Sequence, residues 1–298
     1  MSDFRLKVFR SVAKNLSFTK ASQELFVSQP AITKHMQELE AAYQTRLFDR
    51  QGSRISLTES GNLLLEHCER ILEDYKRLEY EMHLLHNEYT GGLKLGASTT
   101  IAQYVLPPLL ASFIGKFPQV SLSLLNGNSR EIEAALQEHR IDLGFVEGVF
   151  RLPNIRYTTF LEDELVAVVR TGSKLAVGEE ITPDELFHLP LVLRERGSGT
   201  LDVFERALQQ HNIKLSSLQV LMYLGSTESI KLFLEHTDCL GIVSVRSITR
   251  ELYSGQLRVV EIKGMPMLRD FSFAQPQGQE SGLAQVFMQF AMHNNHKL

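Results

Sequence analysis

The stretch that decides the fold of this 298-residue chain is SFTKASQELFVSQPAITK, residues 17–34. Its first half, residues 18–26, has the apolar spacing of a short helix, and a second helical run follows after a brief turn. Ser28 is a natural N-cap for the second run, and Pro30 lies in its first turn, where its missing N–H costs nothing. The side chains that this run buries are spaced four and three residues apart: Ile32, Met36 and Leu39. Two short helices joined in this way predict a helix-turn-helix.

The elements on either side extend this prediction. A first helix is expected over residues 3–14, behind a cap at Ser2 or Asp3. After the third helix, residues 46–50, 51–54 and 55–58 have the pattern of strand, tight turn and strand, which predicts a hairpin. Such a hairpin is a wing, and it places Arg50 and Arg54 where they reach a phosphate backbone.

The solvent-facing side chains on the second helix of the motif indicate which kind of partner the helix binds. Gln pairs bidentately with adenine, Thr contacts the thymine methyl group, and Lys reaches guanine or phosphate. The outward set here is Gln29, Pro30, Thr33, Lys34 and Gln37. The alternative, a small three-helix bundle without a nucleic-acid partner, leaves the wing and the local positive charge unexplained.

The charge distribution supports separate roles along the chain. The whole protein has a formal net charge of -4, which taken alone argues against a nucleic-acid partner. Residues 1–60, however, contain nine basic and six acidic side chains, whereas residues 61–90 contain three basic and seven acidic ones. The positive charge is therefore concentrated in the N-terminal block.

Several short motifs of this block occur together, namely SFTKAS at 17–22, Leu25, VSQPAIT at 27–33, Leu39-Glu40, LFDR at 47–50 and LTESG at 57–61. In this combination they resemble the LysR-type transcriptional regulator family. Ser22 departs from the pattern, since the family usually has Ala there. The resemblance implies a winged head that binds promoter or operator DNA. The residues expected at the DNA are Thr19, Lys20, Ser28, Gln29, Pro30, Ala31, Thr33, Lys34, Arg50 and Arg54.

A long helix is predicted from residue 58 to residue 89. Its apolar positions repeat at intervals of four and three residues: Leu64, Cys68, Ile71, Tyr75, Leu78, Met82 and Leu85. Such a heptad seam is typical of a coiled coil, whereas a helix of an internal core would have fewer charged residues off the seam. The seam predicts a homodimer, and a twofold dimer predicts a pseudo-palindromic operator.

From Gly91-Gly92, which is expected to end the helix, short apolar strands alternate with helices. Strands are predicted over 93–97, 120–124 and 141–146, with helices over 101–117 and 130–139; a second set begins near Leu161. The strands of that set are predicted over 165–169, 191–193, 220–223 and 241–243, with helices near 201–211 and 228–236. This alternation predicts a parallel α/β sheet arranged as two lobes with a cleft between them.

Polar residues occupy four junctions between strands and helices in this part of the chain. The carboxyl edge of an α/β sheet is its ligand edge, and helix N-termini favour anions. Each junction alone fits an ordinary helix cap, but the four together, with Arg196 nearby, predict a pocket for a small anion. The expected ligand residues are Ser98, Thr99, Thr100, Asn128, Ser129, Glu147, Arg194, Ser198, Thr200 and Thr227.

The LysR resemblance continues here through LPPLLASF at 106–113, FP at 117–118, IDLG at 141–144 and LGIV at 240–243. It implies an effector domain similar to a periplasmic binding protein, with one lobe at 91–160 plus 268–298 and the other at 161–267. The segment RERGSGT at 194–200 resembles the branch associated with sulfur assimilation and carbon fixation. That branch usually has Pro at the position of Arg196 and Arg at that of Leu201. The resemblance also implies a dimer of dimers and contact with RNA polymerase.

The expected organisation is thus a winged helix-turn-helix at 1–58, a linker helix at 59–90 and a two-lobed α/β effector domain at 91–298. No apolar run reaches the roughly 20 residues of a membrane helix, and the first residues resemble no secretory signal, so a cytoplasmic protein is expected.

No nucleotide, metal or nucleophile motif is present, so the chain is expected to have no cofactor and no catalytic activity. His83 and His86 lack a third metal ligand, and Cys68 and Cys239 are expected to be small core residues.

Two alternatives remain. A solute-binding protein or enzyme with an added dimerisation helix would leave the winged head unexplained. A molybdate-type regulator would lack the long heptad seam.

Overall fold

The computed structural model describes residues 4–51, 54–86, 89–175, 178–277 and 282–295. The chain forms two compact units, Met1–Asn87 and Glu88–Leu298. The first, called the head unit below, is mainly helical, and the second, called the sensor unit, contains the large sheet. None of the helices in the described ranges is long and apolar enough to cross a membrane.

The head unit begins with three helices and a hairpin. In chain order these are α1 (Phe4–Asn15), α2 (Phe18–Glu24), α3 (Gln29–Tyr43), β1 (Phe48–Gln51) and β2 (Arg54–Leu57). The hairpin is antiparallel, with Phe48 opposite Leu57 and Gln51 opposite Arg54. The predicted winged helix-turn-helix is therefore confirmed, while the cap expected at Ser2 or Asp3 lies outside the described residues.

The second helix ends earlier than residue 26, where the apolar pattern placed its end. Its last residue is Glu24, and Phe26 has a φ of 55°, the left-handed conformation that ends many helices. The N–H of Val27 then donates to the carbonyl of Ser22, which satisfies one of the last free carbonyls. The side chain of Phe26 is consequently 95% exposed.

The core of the head unit joins all its elements. Phe48 of the wing contacts the rings of Phe9 and Phe18, with centroids 5.6 and 6.0 Å apart. Ile32, Met36 and Leu39 of α3 are buried in the same core, as their spacing predicted. The wing and the helix-turn-helix therefore form one rigid body.

The long helix, α4 (Glu59–His86), begins inside this core. Cys68 is fully buried there, and its Sγ lies 3.3 Å from the carbonyl oxygen of Leu6 on α1. Burial raises the pKa of the Cys68 thiol to about 11. The prediction that Cys68 belongs to an intermolecular seam is therefore wrong, because the first turns of α4 are used to complete the head unit.

Further along α4, several apolar side chains are exposed among the residues that the structure describes. Ile71, Leu78 and Met82 are exposed, at 38, 51 and 48%. The side chains of His83 and His86, for which no metal site was expected, and of the seam position Leu85 lie outside the described set. No group of three or more metal-ligating side chains occurs among the residues that the structure describes.

The sensor unit contains ten strands and seven α-helices among the described residues. Its first lobe, lobe 1, comprises β3 (Gly91–Ser98), α5 (Thr99–Tyr104), α6 (Leu106–Lys116), β4 (Val120–Gly127), α7 (Ser129–Gln137), β5 (Leu143–Glu147) and α11 (Gly282–Asn294). Lobe 2 comprises β7 (Glu180–Ile181), β8 (Leu191–Arg194), α8 (Gly199–Gln210), β9 (Val220–Leu224), α9 (Thr227–His236), β10 (Leu240–Ser244), α10 (Thr249–Tyr253) and β11 (Leu257–Ile262).

Two strands connect the lobes: β6 (Ile155–Arg170) and β12 (Leu268–Pro276). The strand order is β4-β3-β5-β12-β6-β10-β8-β9, with β11 also pairing β6. In lobe 1, β3 is parallel to β4 and β5, and in lobe 2, β8 is parallel to β9 and β10. The 16-residue strand β6 pairs with β12 over residues 155–164 and with β10 and β11 over residues 165–170. The two-lobed α/β prediction is confirmed.

Several details differ from the sequence prediction. Gly91 and Gly92 begin β3 and do not end the helix, which stops at His86. The helix predicted over 101–117 is two helices, because Pro107 and Pro108 lack N–H groups and start a new helix after Val105. Strand β6 begins ten residues before the predicted 165, and β11 and β12 were not predicted.

Each lobe has its own core. In lobe 1 aromatic rings dominate, and Phe113 and Phe273 contact Phe287 and Phe145 with centroids 4.8 and 5.0 Å apart. In lobe 2 the core is aliphatic and lies between β6, β8, β10 and α8. Cys239 is buried just before β10, which raises the pKa of its thiol to about 11. Both thiols are thus free, buried and protonated at neutral pH.

Candidate nucleic-acid interface and ligand cleft

The head unit presents the N-terminus of α3 to solvent. Gln29, Pro30 and Lys34 are exposed, and Thr33 is half-buried with its hydroxyl donating to the carbonyl of Gln29 at 3.1 Å. Ser28 occupies the N-cap but forms no capping hydrogen bond through its side chain. The side chain of Ser28 therefore leaves the N–H groups of Gln29 and Ala31 uncapped for an anion such as a phosphate, while Pro30 has no N–H.

The other residues expected at DNA lie on neighbouring parts of the same unit. Thr19 and Lys20 are exposed in the first turn of α2, and Ala31 is half-buried in α3. Arg50 and Arg54 lie on β1 and β2, one on each side of the hairpin turn, and their side chains are not described. A groove of about 530 Å³ between α3 and the wing is lined by Thr33, Gln37 and Arg46 among others. Arg46 was not among the residues predicted to contact DNA, although it lies just before the first strand of the wing.

In the sensor unit, each of the four polar junctions lies between the end of a strand and the start of the next helix. Ser98 precedes α5, Asn128 precedes α7, Ser198 precedes α8, and Ser226 precedes α9. The first two junctions belong to lobe 1 and the last two to lobe 2. The side chains of Ser98, Thr99, Thr100, Ser129, Ser198, Thr200 and Thr227 are all buried.

Arg194 connects the two lobes from the end of β8. Its Nη2 donates to the hydroxyl of Thr99 at 2.9 Å and to the carbonyl of Gly225 at 3.3 Å. Nε and Nη2 also bind the carboxylate of Glu195, at 2.8 and 3.0 Å. Arg194 is 2% exposed, so its charge is held in a buried site, and among the described residues Glu195 is its one acidic partner.

Glu147, at the end of β5, occupies the middle of the same region. Its Oε1 accepts hydrogen bonds from the hydroxyls of Thr100 and Thr200, at 3.4 and 3.3 Å. Ser129 donates to the backbone carbonyl of Glu147 at 2.7 Å. Thr100 and Ser129 belong to lobe 1 and Thr200 to lobe 2, so this carboxylate joins the two lobes.

The partner that balances Glu147 was not among the predicted residues. Arg269 of β12 places Nη1 3.2 Å from Glu147 Oε1, donates from Nη1 to Thr200 at 2.9 Å, and donates from Nε to Asp163 Oδ2 at 2.7 Å. Asp163 of β6 also accepts a hydrogen bond from the hydroxyl of Ser244 at 2.7 Å. We call Glu147, Arg269 and Asp163 the hinge cluster, since they lie on the connecting strands and at the end of β5.

Sequence reasoning had a usable signal for part of this cluster. Arg269 and Asp163 interrupt strands that otherwise alternate toward a core, and a charged residue at a core position implies a partner. Which charges pair depends on the register of β6 against β12, where Arg269 lies opposite Asp163, and that register was not predicted.

Three buried polar atoms around the cleft have no hydrogen-bond partner among the described residues: Ser98 Oγ, Arg194 Nη1 and Glu147 Oε2. Buried polar groups are almost always hydrogen-bonded, so each indicates a position where a bound molecule or water completes the site. One is a cationic donor, one a hydroxyl and one a carboxylate oxygen. Asn128, in contrast, is engaged in a capping box with Glu131.

Arg196 does not belong to this site, although it is only two residues from Arg194. Its side chain is 66% exposed and pairs with Glu205 at 2.7 Å. Gly197, directly after Arg196, has a positive φ of 93°, and the chain turns there. The expectation that Arg196 lies near the anion pocket is therefore wrong.

A second polar contact between the lobes is formed by Tyr104, the last residue of α5. The hydroxyl of Tyr104 donates to the carboxylate of Glu228, and the buried Lys231 binds Glu228 and Glu251, both at 2.7 Å. Burial and this hydrogen bond raise the pKa of Tyr104. Burial alone would raise the pKa of Glu228, but hydrogen bonds from Lys231 and Tyr104 outweigh it and lower the pKa.

Comparison with known proteins adds two matches that together span most of the chain. Residues 4–62 match the family described as "Bacterial regulatory helix-turn-helix protein, lysR family". Residues 86–295 match the "LysR substrate binding domain".

Individual proteins show the same similarity. The chain is 35% identical over 258 residues to the HTH-type transcriptional regulator YeiE of Escherichia coli (strain K12), covering 87% of this chain and 85% of that protein. It is 30% identical over 287 residues to the RuBisCO operon transcriptional regulator of Acidithiobacillus ferrooxidans, covering 96 and 92%. The regulatory domain of CcmR from Synechocystis PCC6803, solved in complex with 2-PG, is 28% identical, with a TM-score of 0.62 over 68% of this chain and 97% of that domain.

The close approach of the lobes at Gly199 provides a test of this geometry. A Cβ on Gly199 would lie 2.2 Å from the backbone oxygen of Glu147, whereas a Cβ on Gly225 would meet nothing within 4 Å. We expect Gly199→Ala to lower the free energy of unfolding of the full chain by about 1–3 kcal/mol in urea denaturation, because two backbone segments must separate. Gly225→Ala is the matched control, with a change within about 0.5 kcal/mol. Equal unfolding midpoints for the two variants would contradict the described contact.

Proposed function

Because the chain belongs to the LysR family of bacterial transcriptional regulators, we propose that it binds a pseudo-palindromic operator through α3 and the wing, and that a small anion in the cleft controls this binding. The family assignment makes it a DNA-binding regulator with an effector-binding domain. We propose in addition which residues contact DNA, which residues contact the effector, and the chemical class of the effector.

The DNA contacts are inferred from the exposed N-terminus of α3. Gln29 and Lys34 are exposed on the helix that a helix-turn-helix inserts into the major groove, and Thr33 lies between them. Thr19, Lys20, Ser28, Pro30 and Ala31 complete the helical surface, and Arg50 and Arg54 on the wing bind the phosphate backbone. This part of the chain also has the excess of basic residues.

We propose the functional division 1–58 for DNA binding, 59–90 for the linker helix and 91–298 for effector binding. Such a regulator acts in the cytoplasm and contacts RNA polymerase at the promoter. We propose no catalytic activity, since the similar proteins named above are transcriptional regulators.

A homodimer that assembles to a homotetramer is supported by two kinds of uncovered apolar surface. Ile71, Leu78 and Met82 of α4 are exposed at heptad positions. At the two ends of the large sheet, the edge strands β4 and β9 also expose apolar side chains: Leu124, Leu125, Leu221, Met222 and Tyr223. Exposed apolar edge strands require a covering partner, and a second copy of the chain supplies one in each case.

The observation that carries the effector proposal is the set of unpartnered buried atoms, above all Arg194 Nη1 and Ser98 Oγ. Helices α7, α8 and α9 begin at the same junctions, and their N–H groups favour negative charge. Arg194 is already paired with Glu195, and Glu147 with Arg269, so the cleft has little excess positive charge. An anion is then held mainly by hydrogen-bond donors, and it has to be small.

The residues that line the cleft explain how an effector would control DNA binding. Arg194, Thr99, Glu147 and Thr200 form hydrogen bonds from one lobe to the other, so a molecule that binds these groups changes the relative stability of the open and closed lobes. The effector then shifts the equilibrium between the open and closed lobes. If these two states place the DNA-binding heads of the oligomer differently, effector binding also changes the affinity for DNA.

The DNA proposal predicts the effect of the double variant Gln29→Ala, Lys34→Ala on binding to the promoter region beside the chain's own gene. Loss of a base contact worth about 1–3 kcal/mol and of one phosphate contact should weaken binding by about thirtyfold or more and flatten its salt dependence. Fluorescence anisotropy at several salt concentrations measures both effects.

The matched control for this experiment is Gln209→Ala, Lys214→Ala, which removes the same side-chain types from exposed positions of the sensor unit. Unchanged DNA affinity in the Gln29, Lys34 variant, or no binding by the wild type, would refute the proposed interface.

The effector proposal is tested by thermal shift with sulfate, sulfite, O-acetylserine, 2-PG and simple dicarboxylates. We expect at least one of them to raise the Tm of the wild type. Ser98→Ala should leave the Tm without ligand unchanged, because its hydroxyl has no partner, but should reduce the ligand-induced shift. Thr100→Val should do the same at some cost in stability, since its hydroxyl binds Glu147.

Ser121→Ala, an exposed hydroxyl on β4, serves as the control. If every ligand that raises the Tm still does so in both Ser98→Ala and Thr100→Val, the ligand binds elsewhere and the placement of the site is wrong.

A further inference from the structure

A second cavity lies beside the connecting strands, outside the set of residues that form the anion cleft. It has a volume of about 360 Å³, and its walls come from the segment after β5, from β6, from β12 and from α8. This volume falls at the lower end of the roughly 300–1,000 Å³ typical of small-molecule sites. The cavity therefore has room for a small metabolite.

Six charged side chains line this cavity: Arg151, Glu162, Asp163, Arg206, Arg269 and Asp270. Arg269 and Asp163 form an ion pair, whereas the other four form none with one another among the described residues. Arg151 donates to the hydroxyl of Ser272 at 3.2 Å and lies over the ring of Tyr157, 4.5 Å from its centroid. Arg206, on α8, has no hydrogen bond or ion pair to any residue that the structure describes. Within the described ranges neither arginine forms an ion pair, although the charge of Arg151 also acts on the carboxylate of Glu133.

Two acidic side chains border the same cavity. Glu162 on β6 lies directly opposite Asp270 on β12 in the antiparallel register. Like charges in this position repel each other. The hydroxyl of Thr159 donates to Asp270 at 3.4 Å, and within the described ranges neither carboxylate pairs with a basic side chain.

The hinge cluster contributes the remaining polar wall of the cavity. Arg269 has a side chain with no solvent exposure, and its Nη2 lies 2.7 Å from Asp163 Oδ2. That oxygen already accepts a hydrogen bond from Nε, and Nη2 has no well-aligned hydrogen bond of its own. Arg269 is shared between the carboxylates of Asp163 and Glu147, and Arg246 places its Nε 3.6 Å from Asp163 Oδ1, so two arginines compensate the two buried carboxylates. The charges left to bind a ligand are those of Arg151, Arg206, Glu162 and Asp270.

From this arrangement we propose that the cavity binds a free amino acid in its zwitterionic form. The arginines bind the carboxylate, and Glu162 and Asp270 bind the ammonium group. A simple anion would meet two unpaired carboxylates in the same small space, and a simple cation would meet two unpaired guanidinium groups. A zwitterion of short charge separation satisfies both pairs at once and removes the repulsion between Glu162 and Asp270.

The site also has a physical connection to the anion cleft. Arg269 lines this cavity and places its Nη1 3.2 Å from Glu147 Oε1, and Glu147 in turn accepts a hydrogen bond from Thr100. An amino acid bound against Arg269 acts on the same buried cluster that joins the lobes. It is thus a co-effector site, distinct from the site of the anion.

The test is a binding screen of the full chain with the standard L-amino acids at millimolar concentration, read by thermal shift and then by calorimetry. We expect at least one amino acid to bind. Its N-acetyl derivative, which lacks the ammonium charge, and its methyl ester, which lacks the carboxylate, should both bind about tenfold more weakly or not at all. Failure of every amino acid to bind would overturn the proposal.

Variants locate the binding. Arg206→Gln and Asp270→Asn should each weaken binding by about tenfold, and both side chains are exposed, so the variants should fold. Arg140→Gln is the control, an exposed arginine paired only with Glu138. Ser98→Ala, in the anion cleft, should leave amino-acid affinity unchanged. Binding that survives Arg206→Gln and Asp270→Asn, or that is lost in Ser98→Ala, would show that the amino acid occupies another site.

Discussion

The buried ion pairs of Glu147, Arg269 and Asp163 are the interaction on which the sensor unit depends. All three side chains are almost inaccessible to solvent, and they come from β5, β12 and β6. Removing one partner of such a group typically costs about 3–5 kcal/mol, because the charges that remain stay buried and unpaired. The hydroxyls of Thr100 and Thr200 bind the same cluster, so the position of one lobe relative to the other is tied to its integrity.

Around this fixed centre, the groups available to a ligand are few and specific. Among the described residues, Arg194 Nη1 and Ser98 Oγ have no hydrogen-bond partner in the cleft, and Arg151, Arg206, Glu162 and Asp270 border the second cavity without an ion pair. The head unit depends on a different interaction. The first turns of α4 complete its hydrophobic core through Cys68 and Leu72. The linker helix thereby belongs partly to the DNA-binding head and leaves only its later apolar positions for a partner.

The features that were predictable from sequence are those set by local spacing. The helix-turn-helix, the wing and the four junctions follow from the apolar period, from the cap position at Ser28 and from the polar residues between strands and helices. The features that were missed depend on contacts distant in sequence. Cys68 fits a heptad seam by its spacing but is buried by α1, and Arg269 reaches Glu147 only through the pairing of β12 with β5 and β6. Local chemistry indicated where a ligand edge lies, whereas sheet register determines which charges meet there.

The central claim is that a single anion is held by helix starts from both lobes. Hydrogen–deuterium exchange of the full chain, with and without the oxyanion that binds most tightly, measures this directly. The account predicts that amides in residues 97–101 and 128–131 of lobe 1 and in residues 198–202 and 226–229 of lobe 2 all exchange more slowly when the anion is bound. Protection confined to one lobe, or none with any oxyanion, would contradict it.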